Sequence, residues 1–553
     1  MYQDRKSAPH KLSIWMPLLF AIVLVTGMLI GMRMQSNMPQ LVVEQETPGV
    51  EGIGQGKIEE VLRYVEAKYV DEVDKEALTQ EVIDDLLSRL DPHSNYISAE
   101  ELKEVNEQLK GNFDGIGVEF MVLDDTIVVV TPLSGGPSEA AGIEAGDKII
   151  QIGDSTIAGV NMDSEAIIGM LRGEKGTDVE VGILRDREGQ LLRFTVTRDA
   201  IPMNSVDVAY MLDDKTGYIK LNRFSATTYE EFMKSLEELV EKHGMEDLVL
   251  DLRHNPGGYL QQATNMLSQL FQQKDKLLVY TEGDAVNRSE YTSTGRNFFD
   301  VEDIVVLIDE GSASASEIVA GAIQDHDRGV IIGRRSFGKG LVQEQYNLRD
   351  GGALRLTVAR YYTPSGRSIQ KPYDDPDAYQ HEMYNRYESG ELEEAERMLI
   401  EDSTEYYTDN GRIVYGGGGI MPDVFVPIDT ITVNEDYLAL RQYVPQFVFR
   451  YLDAPGATES IVNLGLENFA REYQLSSTAL PDLIDYAKER GASVQEPLAP
   501  ELKKAVRHML LARIAKQVFD DEGYYKIWNR KDNMVQEALK AMSRSQSLTA
   551  SQQ

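Results

Sequence analysis

The 553-residue chain contains no cysteine, so structural disulfides, zinc–thiolate sites and a cysteine nucleophile are all excluded. Basic residues are scarce, with 55 Lys and Arg against 91 Asp and Glu and a net charge of −36. Nucleic-acid binding needs a basic surface, so this composition argues against a nucleic-acid partner. The seven histidines show no metal-ligand spacing, and we expect neither a metal nor another cofactor.

The candidate chemistry lies in two short segments whose starts are 25 residues apart, Gly311–Glu317 and Ser336–Gln343. A serine hydroxyl needs a nearby base, and no credible Ser–His–Asp set is present. A lysine can act as the base where burial lowers its pKa. Lys339 lies between two glycines and is flanked by apolar residues, which favours such a site.

Three serines compete for the role of nucleophile. Ser312, Ser314 and Ser316 occupy a turn of small residues between a predicted buried strand (303–308) and a predicted helix (316–323). The free N–H groups at a helix N-terminus favour a developing oxyanion. Each serine could equally cap the helix, so this reasoning leaves the choice among them open.

A second turn could complete the site. Gly257 and Gly258 follow a predicted buried strand (248–253) and precede a helical stretch (259–271). Glycines expose backbone N–H groups without a side chain in the way, which suits a second oxyanion donor. An ordinary strand-to-helix turn is the alternative.

The three segments resemble those of the carboxyl-terminal processing peptidases, also called tail-specific proteases. The residues that carry the resemblance are Asp251-Leu252-Arg253, Asn255-Pro256-Gly257-Gly258, Ser312 to Glu317, and Phe337-Gly338-Lys339-Gly340 with Gln343. Residues 354–370 and 419–424 are also similar to segments of this family, and the resemblance covers roughly residues 57–428.

The resemblance implies a role for each of these positions. Ser314 would be the nucleophile, Lys339 the general base and Gln343 the residue that holds the lysine. The oxyanion hole would combine the N–H of Ala315 with that of Gly257 or Gly258.

Residues 110–203 resemble a PDZ domain. Its carboxylate-binding loop would comprise Gly115, Ile116, Gly117 and Val118, and residues 164–171 would form the groove helix. Successive N–H groups in such a loop can bind a chain terminus, while the peptide adds a strand to the sheet.

We therefore expect a multidomain α/β protein. The predicted parts are a helical N-terminal region (57–109), the PDZ domain (110–203), a Ser–Lys protease core (204–430) and a helical C-terminal domain (431–553). An acidic insertion (373–411) interrupts the core, and we expect a solvent-exposed excursion with a helix near 391–400. The apolar stripes of the C-terminal domain fit core packing or a partner surface, and of the partner surfaces we expect a homo-oligomeric one, in a dimer.

The N-terminus predicts a location. Residues 12–32 carry no charge and are long enough to span a bilayer. Basic residues lie mainly before this segment, so the positive-inside rule puts residues 1–11 in the cytoplasm. A cleaved signal peptide is the alternative, but no clear cleavage site follows. We expect residues 12–32 to be a single-pass anchor in a bacterial inner membrane. A linker (33–56) would then connect the anchor to the catalytic part on the periplasmic side.

The function expected from these features is a serine endopeptidase that recognises polypeptide substrates by their free C-termini and cuts upstream. A non-catalytic PDZ adaptor that binds protein tails is one alternative. Another serine acyl-transfer enzyme, such as an esterase or a peptidoglycan peptidase, is a second. The PDZ-like segment favours a polypeptide substrate, and no Gly-x-Ser-x-Gly elbow surrounds Ser314.

Overall fold

In the computed structural model, residues 56–185, 189–400 and 402–550 are described, with side chains as far as residue 544. The predicted anchor (12–32) and most of the linker lie outside these residues, so the membrane and periplasmic assignments stay predictions. None of the helices in the described ranges combines the length and the apolar character needed to cross a bilayer.

The described part of the chain begins with helices α1 (Lys57–Lys68) and α2 (Lys75–Ser88). A short strand β1 (Asn95–Ile97) and helix α3 (Ala99–Lys110) follow. Ser98 begins α3 with a capping box, in which Glu101 accepts a hydrogen bond from the Ser98 N–H.

Ten elements then form a small β-rich domain with its own apolar core. Their bounds are β2 (Asn112–Gly115), β3 (Val118–Leu123), β4 (Thr126–Pro132), α4 (Pro137–Ala141), β5 (Lys148–Ile152), β6 (Ser155–Thr156), α5 (Ser164–Leu171), β7 (Asp178–Leu184), β8 (Leu191–Thr197) and β9 (Asp199–Pro202). The sheet order is β3-β4-β5-β7-β8, which leaves β3 at an edge. Strand β6 pairs with β5, and β2 pairs with β9.

The next region alternates strands and helices, as predicted. Its bounds are β10 (Val206–Met211), β11 (Thr216–Leu221), α6 (Thr228–Glu237), β12 (Asp247–Asp251), α7 (Leu260–Leu270), β13 (Lys274–Glu282), β14 (Ser289–Thr294), β15 (Ile304–Ile308), α8 (Ala315–Asp325), β16 (Val330–Gly333), β17 (Leu341–Asn347) and β18 (Ala353–Tyr362). The central sheet has the order β10-β11-β12-β15-β16-β21, where β21 is Val424–Phe425. All neighbours from β11 to β21 are parallel.

Both faces of this sheet are covered. Strands β11, β12 and β15 are buried along their whole length, which explains their continuous apolar sequences. Helices α6, α7 and α8 pack on one face. The other face contacts the C-terminal helix α17 (Asn533–Ala550).

Strands β13, β14, β17 and β18 form a second, antiparallel sheet. Strand β1 joins this sheet by pairing with β18. The segment before the PDZ-like domain is therefore part of the sheet that carries the residues after Gly340.

The acidic insertion does not have the structure expected from its charge. It contains helices α9 (Pro376–Gln380) and α10 (Glu382–Glu388), a single 3₁₀ turn (Ala395–Arg397), and strand β19 (Asp402–Tyr407), which pairs with β20 (Ile413–Gly416). The predicted helix near 391–400 is therefore wrong. The expectation of a solvent-exposed excursion is also wrong in part, because Arg386 and Glu391 are buried.

Seven helices lie between residue 431 and residue 550, where the described part ends, and the first six share an apolar core. They are α11 (Glu435–Arg441), α12 (Val444–Leu452), α13 (Ala457–Leu464), α14 (Leu466–Glu472), α15 (Ala479–Glu489), α16 (Pro500–Trp528) and α17. Helix α16 is interrupted by non-helical backbone at Phe519 and Asp520.

Candidate active site

Three neighbouring parallel strands end at the candidate site. Strand β12 leads to the turn with Gly257 and Gly258, β15 leads to the serine turn, and β16 leads to the loop that carries Lys339. The carboxyl ends of adjacent parallel strands share one edge of the sheet, where ligands bind in open α/β folds. The fold thus brings together three segments that are distant in sequence.

The surroundings of the three serines differ. The Ser312 hydroxyl is buried and donates to the Leu252 carbonyl at 2.8 Å, while the Ser316 hydroxyl is buried and donates to the Asn255 carbonyl at 2.9 Å. Ser314 is half-buried and faces a cavity. It has φ 54° and ψ −113°, a conformation that is rare outside glycine and costs about 1–3 kcal/mol. The strained backbone presents Ser314 to the cavity immediately before helix α8.

Lys339 lines the same cavity. Its Nζ donates to Gln343 Oε1 at 2.9 Å. Gln343 Nε2 in turn donates to the carbonyl of His93, which fixes the orientation of the amide. Burial, followed by the charge of Arg355, lowers the pKa of Lys339, which favours the neutral amine that a base requires.

One buried carboxylate connects the two segments. Glu317 Oε2 accepts hydrogen bonds from the backbone N–H groups of Ser314 at 2.8 Å and Lys339 at 2.9 Å. Glu317 Oε1 accepts from the Ser336 hydroxyl at 2.6 Å and the Gly338 N–H at 2.7 Å. Burial raises the pKa of Glu317 to about 7. The backbone positions of serine and lysine are thereby coupled through a single side chain.

The glycine turn lies directly against the serine turn. A Cβ added to Gly257 would lie 2.7 Å from the Ala313 carbonyl oxygen and 2.8 Å from the Ala315 nitrogen, so only glycine fits there. The Gly257 N–H already donates to Asn255 Oδ1 at 2.9 Å. The N–H groups of Gly258 and Ala315 have no acceptor among the residues that the structure describes. Of the two glycines, Gly258 is therefore the one with an amide available to a ligand.

A buried ion-pair cluster lies at the end of strand β12, where the glycine turn begins. Asp251 is fully buried and pairs with Arg253 at 2.5 Å and Lys220 at 3.3 Å, and it accepts from the Tyr218 hydroxyl at 2.6 Å. Burial opposes the Asp251 carboxylate, but the charges of Arg253 and Lys220 hold its pKa below the ordinary value. Arg253 also contacts Asp532 at 2.7 Å, next to α17.

The cavity between these segments has a volume of about 710 Å³. The Tyr361 hydroxyl lies within hydrogen-bonding distance of the carbonyl oxygens of Ser314 and Lys339. Among the described residues that line the cavity there is no histidine. Its apolar lining includes Leu260, Tyr291, Ile318, Leu341 and Val342.

Comparisons with known proteins agree with the fold and with the sequence pattern. The family model for Peptidase family S41 matches residues 215–379, and that for the PDZ domain matches residues 115–197. A carboxy-terminal-processing protease of Bartonella bacilliformis is 35% identical over 398 residues, which are 70% of this chain and 89% of the relative. The chain belongs to the carboxy-terminal processing protease family.

Two further relatives in this protease family have similar identities. The carboxy-terminal processing protease CtpB of Bacillus subtilis is 36% identical over 325 residues, which cover 58% of this chain and 66% of the relative. A carboxyl-terminal-processing protease of Picosynechococcus is 36% identical over 296 residues, covering 53% of this chain and 70% of the relative. Residues 436–520 match a family of unknown function (DUF8443).

In the PDZ domain, the loop between β2 and β3 is the one predicted to bind a carboxylate. The Ile116 carbonyl accepts hydrogen bonds from the N–H and hydroxyl of Ser138, and the Gly117 carbonyl accepts from Leu133. The amides of Ile116 and Gly117, in contrast, have no acceptor within the described part of the chain. Val118 begins the edge strand β3.

Several residues around the site were not identified from the sequence. Glu317 has the Ser-x-x-Glu spacing of a capping box relative to Ser314, which is a signal for a local hydrogen bond. The same spacing gives no indication that Glu317 also binds the loop of Lys339. His93 contacts Gln343, and Tyr379 contacts His93, although the three residues are far apart in the sequence. No local sequence pattern indicates these contacts.

Proposed function

We propose that this protein is a serine endopeptidase that uses Ser314 as nucleophile and Lys339 as general base. The observation that carries the proposal is that both side chains line one cavity while Glu317 holds the backbone of both. Membership of the carboxy-terminal processing proteases supports peptide bonds as the target. The lowered pKa of Lys339 supports its role as the base.

In the acylation step, neutral Lys339 accepts the hydroxyl proton as Ser314 Oγ attacks the scissile carbonyl carbon. The N–H groups of Ala315 and Gly258 stabilise the oxyanion that forms. The Lys339 ammonium then donates its proton to the leaving amine as the C–N bond breaks. An ester between the substrate acyl group and Ser314 remains.

Deacylation follows the same route with water. Lys339 accepts a proton as the water oxygen attacks the ester carbonyl, and it returns the proton to Ser314 Oγ as the ester bond breaks. The product leaves with a new carboxylate. Throughout the cycle, Gln343 Oε1 keeps the lysine Nζ in place.

Substrate tails bind in the groove of the PDZ domain in this proposal. The free amides of Ile116 and Gly117 bind the terminal carboxylate, and the tail adds a strand beside the edge strand β3. The opposite wall of the groove is helix α5, whose Glu165 and Ala166 are exposed.

The pH profile tests the general base. Because the base must be deprotonated, kcat/KM should rise with pH as Lys339 loses its proton in the free enzyme. Since burial lowers its pKa, the midpoint of the rise should lie below about 10.4, the value of a free lysine. Initial rates on a fluorogenic peptide over the stable pH range measure this midpoint.

Glu317, whose pKa is raised to about 7, could contribute a rising limb of its own. Temperature separates the two groups, because an ammonium ionises with a large enthalpy and a carboxyl group with almost none. A midpoint that falls clearly on warming supports the lysine. A midpoint near 6.5 that survives in Lys339→Ala and disappears when a histidine is replaced would instead identify a histidine base.

Amidation of the substrate C-terminus tests tail recognition. It removes the charge that the amides of Ile116 and Gly117 would bind, without changing the scissile bond. We expect kcat/KM for the amidated peptide to fall by about tenfold, the loss that accompanies one charge-assisted interaction. Matched free-acid and amidated peptides assayed together give the ratio.

A shorter peptide pair, too short to reach the PDZ groove from the cavity, is the control and should show no such ratio. An uncleavable peptide with an apolar free C-terminus then distinguishes tethering of the substrate from activation of the protease. If the PDZ domain tethers the substrate, the added peptide should compete and slow cleavage. If tail binding activates the protease, the added peptide should accelerate cleavage. Equal rates for acid and amide, with no effect of the added peptide, would exclude tail recognition while leaving the Ser–Lys chemistry intact.

A further inference from the structure

The acidic insertion contacts the loop that carries Lys339. Arg335, in that loop, donates to both oxygens of Glu391 at 2.7 and 3.1 Å, and both side chains are only 2–3% exposed. Arg386, 4% exposed, donates to the backbone carbonyls of Arg335 at 2.7 Å and Ser336 at 3.3 Å. The backbone immediately before Lys339 is thus bound by side chains of the insertion.

A second contact of the insertion leads to the lysine side chain through Gln343. The hydroxyl of Tyr379, on helix α9 of the insertion, lies 2.7 Å from His93 Nε2. The His93 carbonyl accepts the hydrogen bond from Gln343 Nε2, and Gln343 Oε1 accepts from Lys339 Nζ. A continuous series of hydrogen bonds and one backbone segment therefore connects the insertion to the lysine amine.

The orientation of the Gln343 amide matters for the lysine. In the observed orientation, Gln343 Oε1 points towards Lys339 Nζ and accepts a hydrogen bond from it. If the amide were rotated by half a turn, its NH₂ group would point at the lysine ammonium, and two donors would face each other. The His93 carbonyl is what favours the observed orientation. Tyr379 holds the His93 ring in place in two ways. Its hydroxyl contacts His93 Nε2, and its ring packs edge-on against the imidazole with the two ring centroids 5.7 Å apart.

We propose that the insertion is a positioning element for Lys339, and that Tyr379 is a positioning residue which acts through His93 on the Gln343 amide. The proposal rests on the proposed role of Lys339 as general base. It assigns a function to a segment that sequence and family resemblance left without one.

The variant Tyr379→Phe tests it with the smallest possible change. The phenyl ring keeps the packing against Phe337 and the Lys371 ammonium, which lie 6.3 and 4.1 Å from the Tyr379 ring. Only the hydroxyl is lost, with its hydrogen bonds to His93 and Gln370. The matched control is Tyr384→Phe on helix α10, because the Tyr384 residue is 62% exposed. The charged or titratable groups near Lys339 are Arg355, Glu317, Asp91 and His93, and neither variant replaces any of them.

We expect two changes in Tyr379→Phe and neither in Tyr384→Phe. The plateau of kcat/KM should fall by about tenfold, mainly through kcat, because a misplaced base affects the transition state more than substrate binding. The rising limb of the pH profile should also move to lower pH, since the ammonium loses an ordered acceptor that stabilised the charged form.

The proposal would be overturned if Tyr379→Phe left both the plateau of kcat/KM and the rising limb of its pH profile unchanged. A lowered plateau with an unmoved limb would also overturn it, because that pattern means a general structural loss rather than an effect on the lysine. Failure of the underlying function is distinguishable, since the wild-type profile would then lack the lysine limb.

Discussion

Replacing Ser314 by alanine is expected to lower kcat/KM by at least about 10⁴-fold, the scale seen when a nucleophile that works with a base is removed. The expectation rests on the accessible position of Ser314 and on the hydrogen bonds that engage the neighbouring serine hydroxyls. Because Ser314 packs at the cavity surface, the variant should fold normally. Cleavage of an unfolded protein substrate, followed by gel and mass spectrometry, measures the loss.

Ser312→Ala and Ser316→Ala are the matched controls. Ser316→Ala removes one buried hydrogen bond, and Ser312→Ala removes two, because the Ser312 hydroxyl also accepts from the Asp309 N–H at 2.9 Å. The free energy of unfolding should fall by about 1–3 kcal/mol for each bond lost, while measurable activity remains in the folded fraction. Full activity in Ser314→Ala, or complete loss in a stably folded Ser316→Ala, would overturn the choice of nucleophile.

The sequence was sufficient to predict the parts of the catalytic fold that depend on local patterns. The apolar runs at 248–253 and 303–308 are strands β12 and β15, and the turns after them lead into helices α7 and α8 as expected. Their continuous apolar character arises because the strands are buried on both faces. The family resemblance then named residues that the fold places around one cavity.

The choice among the three serines could not be made from sequence physics, because each of them fits a helix cap. What distinguishes them is long-range: the Ser312 hydroxyl bonds to Leu252, and the Ser316 hydroxyl bonds to Asn255. Both partners belong to the neighbouring turn, about 60 residues earlier in the chain. A pattern within a few residues does not contain this information.

The acidic insertion was misjudged for a related reason. Charged residues are rarely buried unless they are paired, so a segment with 13 acidic residues is expected to lie in solvent. The partners of its buried residues are far away in sequence, as Glu391 pairs with Arg335 and Arg386 binds the carbonyls of Arg335 and Ser336. Only the tertiary structure shows that some of these charges are paired at the lysine loop.

Replacement of Lys339 is expected to be as damaging as replacement of Ser314. Lys339→Met keeps an unbranched side chain of similar length but removes the amine, so kcat/KM should also fall by at least about 10⁴-fold. The kcat/KM of Lys339→Arg should fall by the same factor, because a guanidinium remains charged near neutral pH and is unable to accept the serine proton. Initial rates for both variants on the same peptide, with melting temperatures to verify folding, measure the effect.

The comparison of these two variants separates a base from a fixed charge. If Lys339 only stabilised negative charge in the transition state, Lys339→Arg would retain much of the activity that Lys339→Met loses. The double variant Ser314→Ala/Lys339→Met adds a second criterion, because residues that act as one unit are not additive. Its rate should equal that of Ser314→Ala alone, whereas a further large loss would mean that the lysine acts independently of the serine.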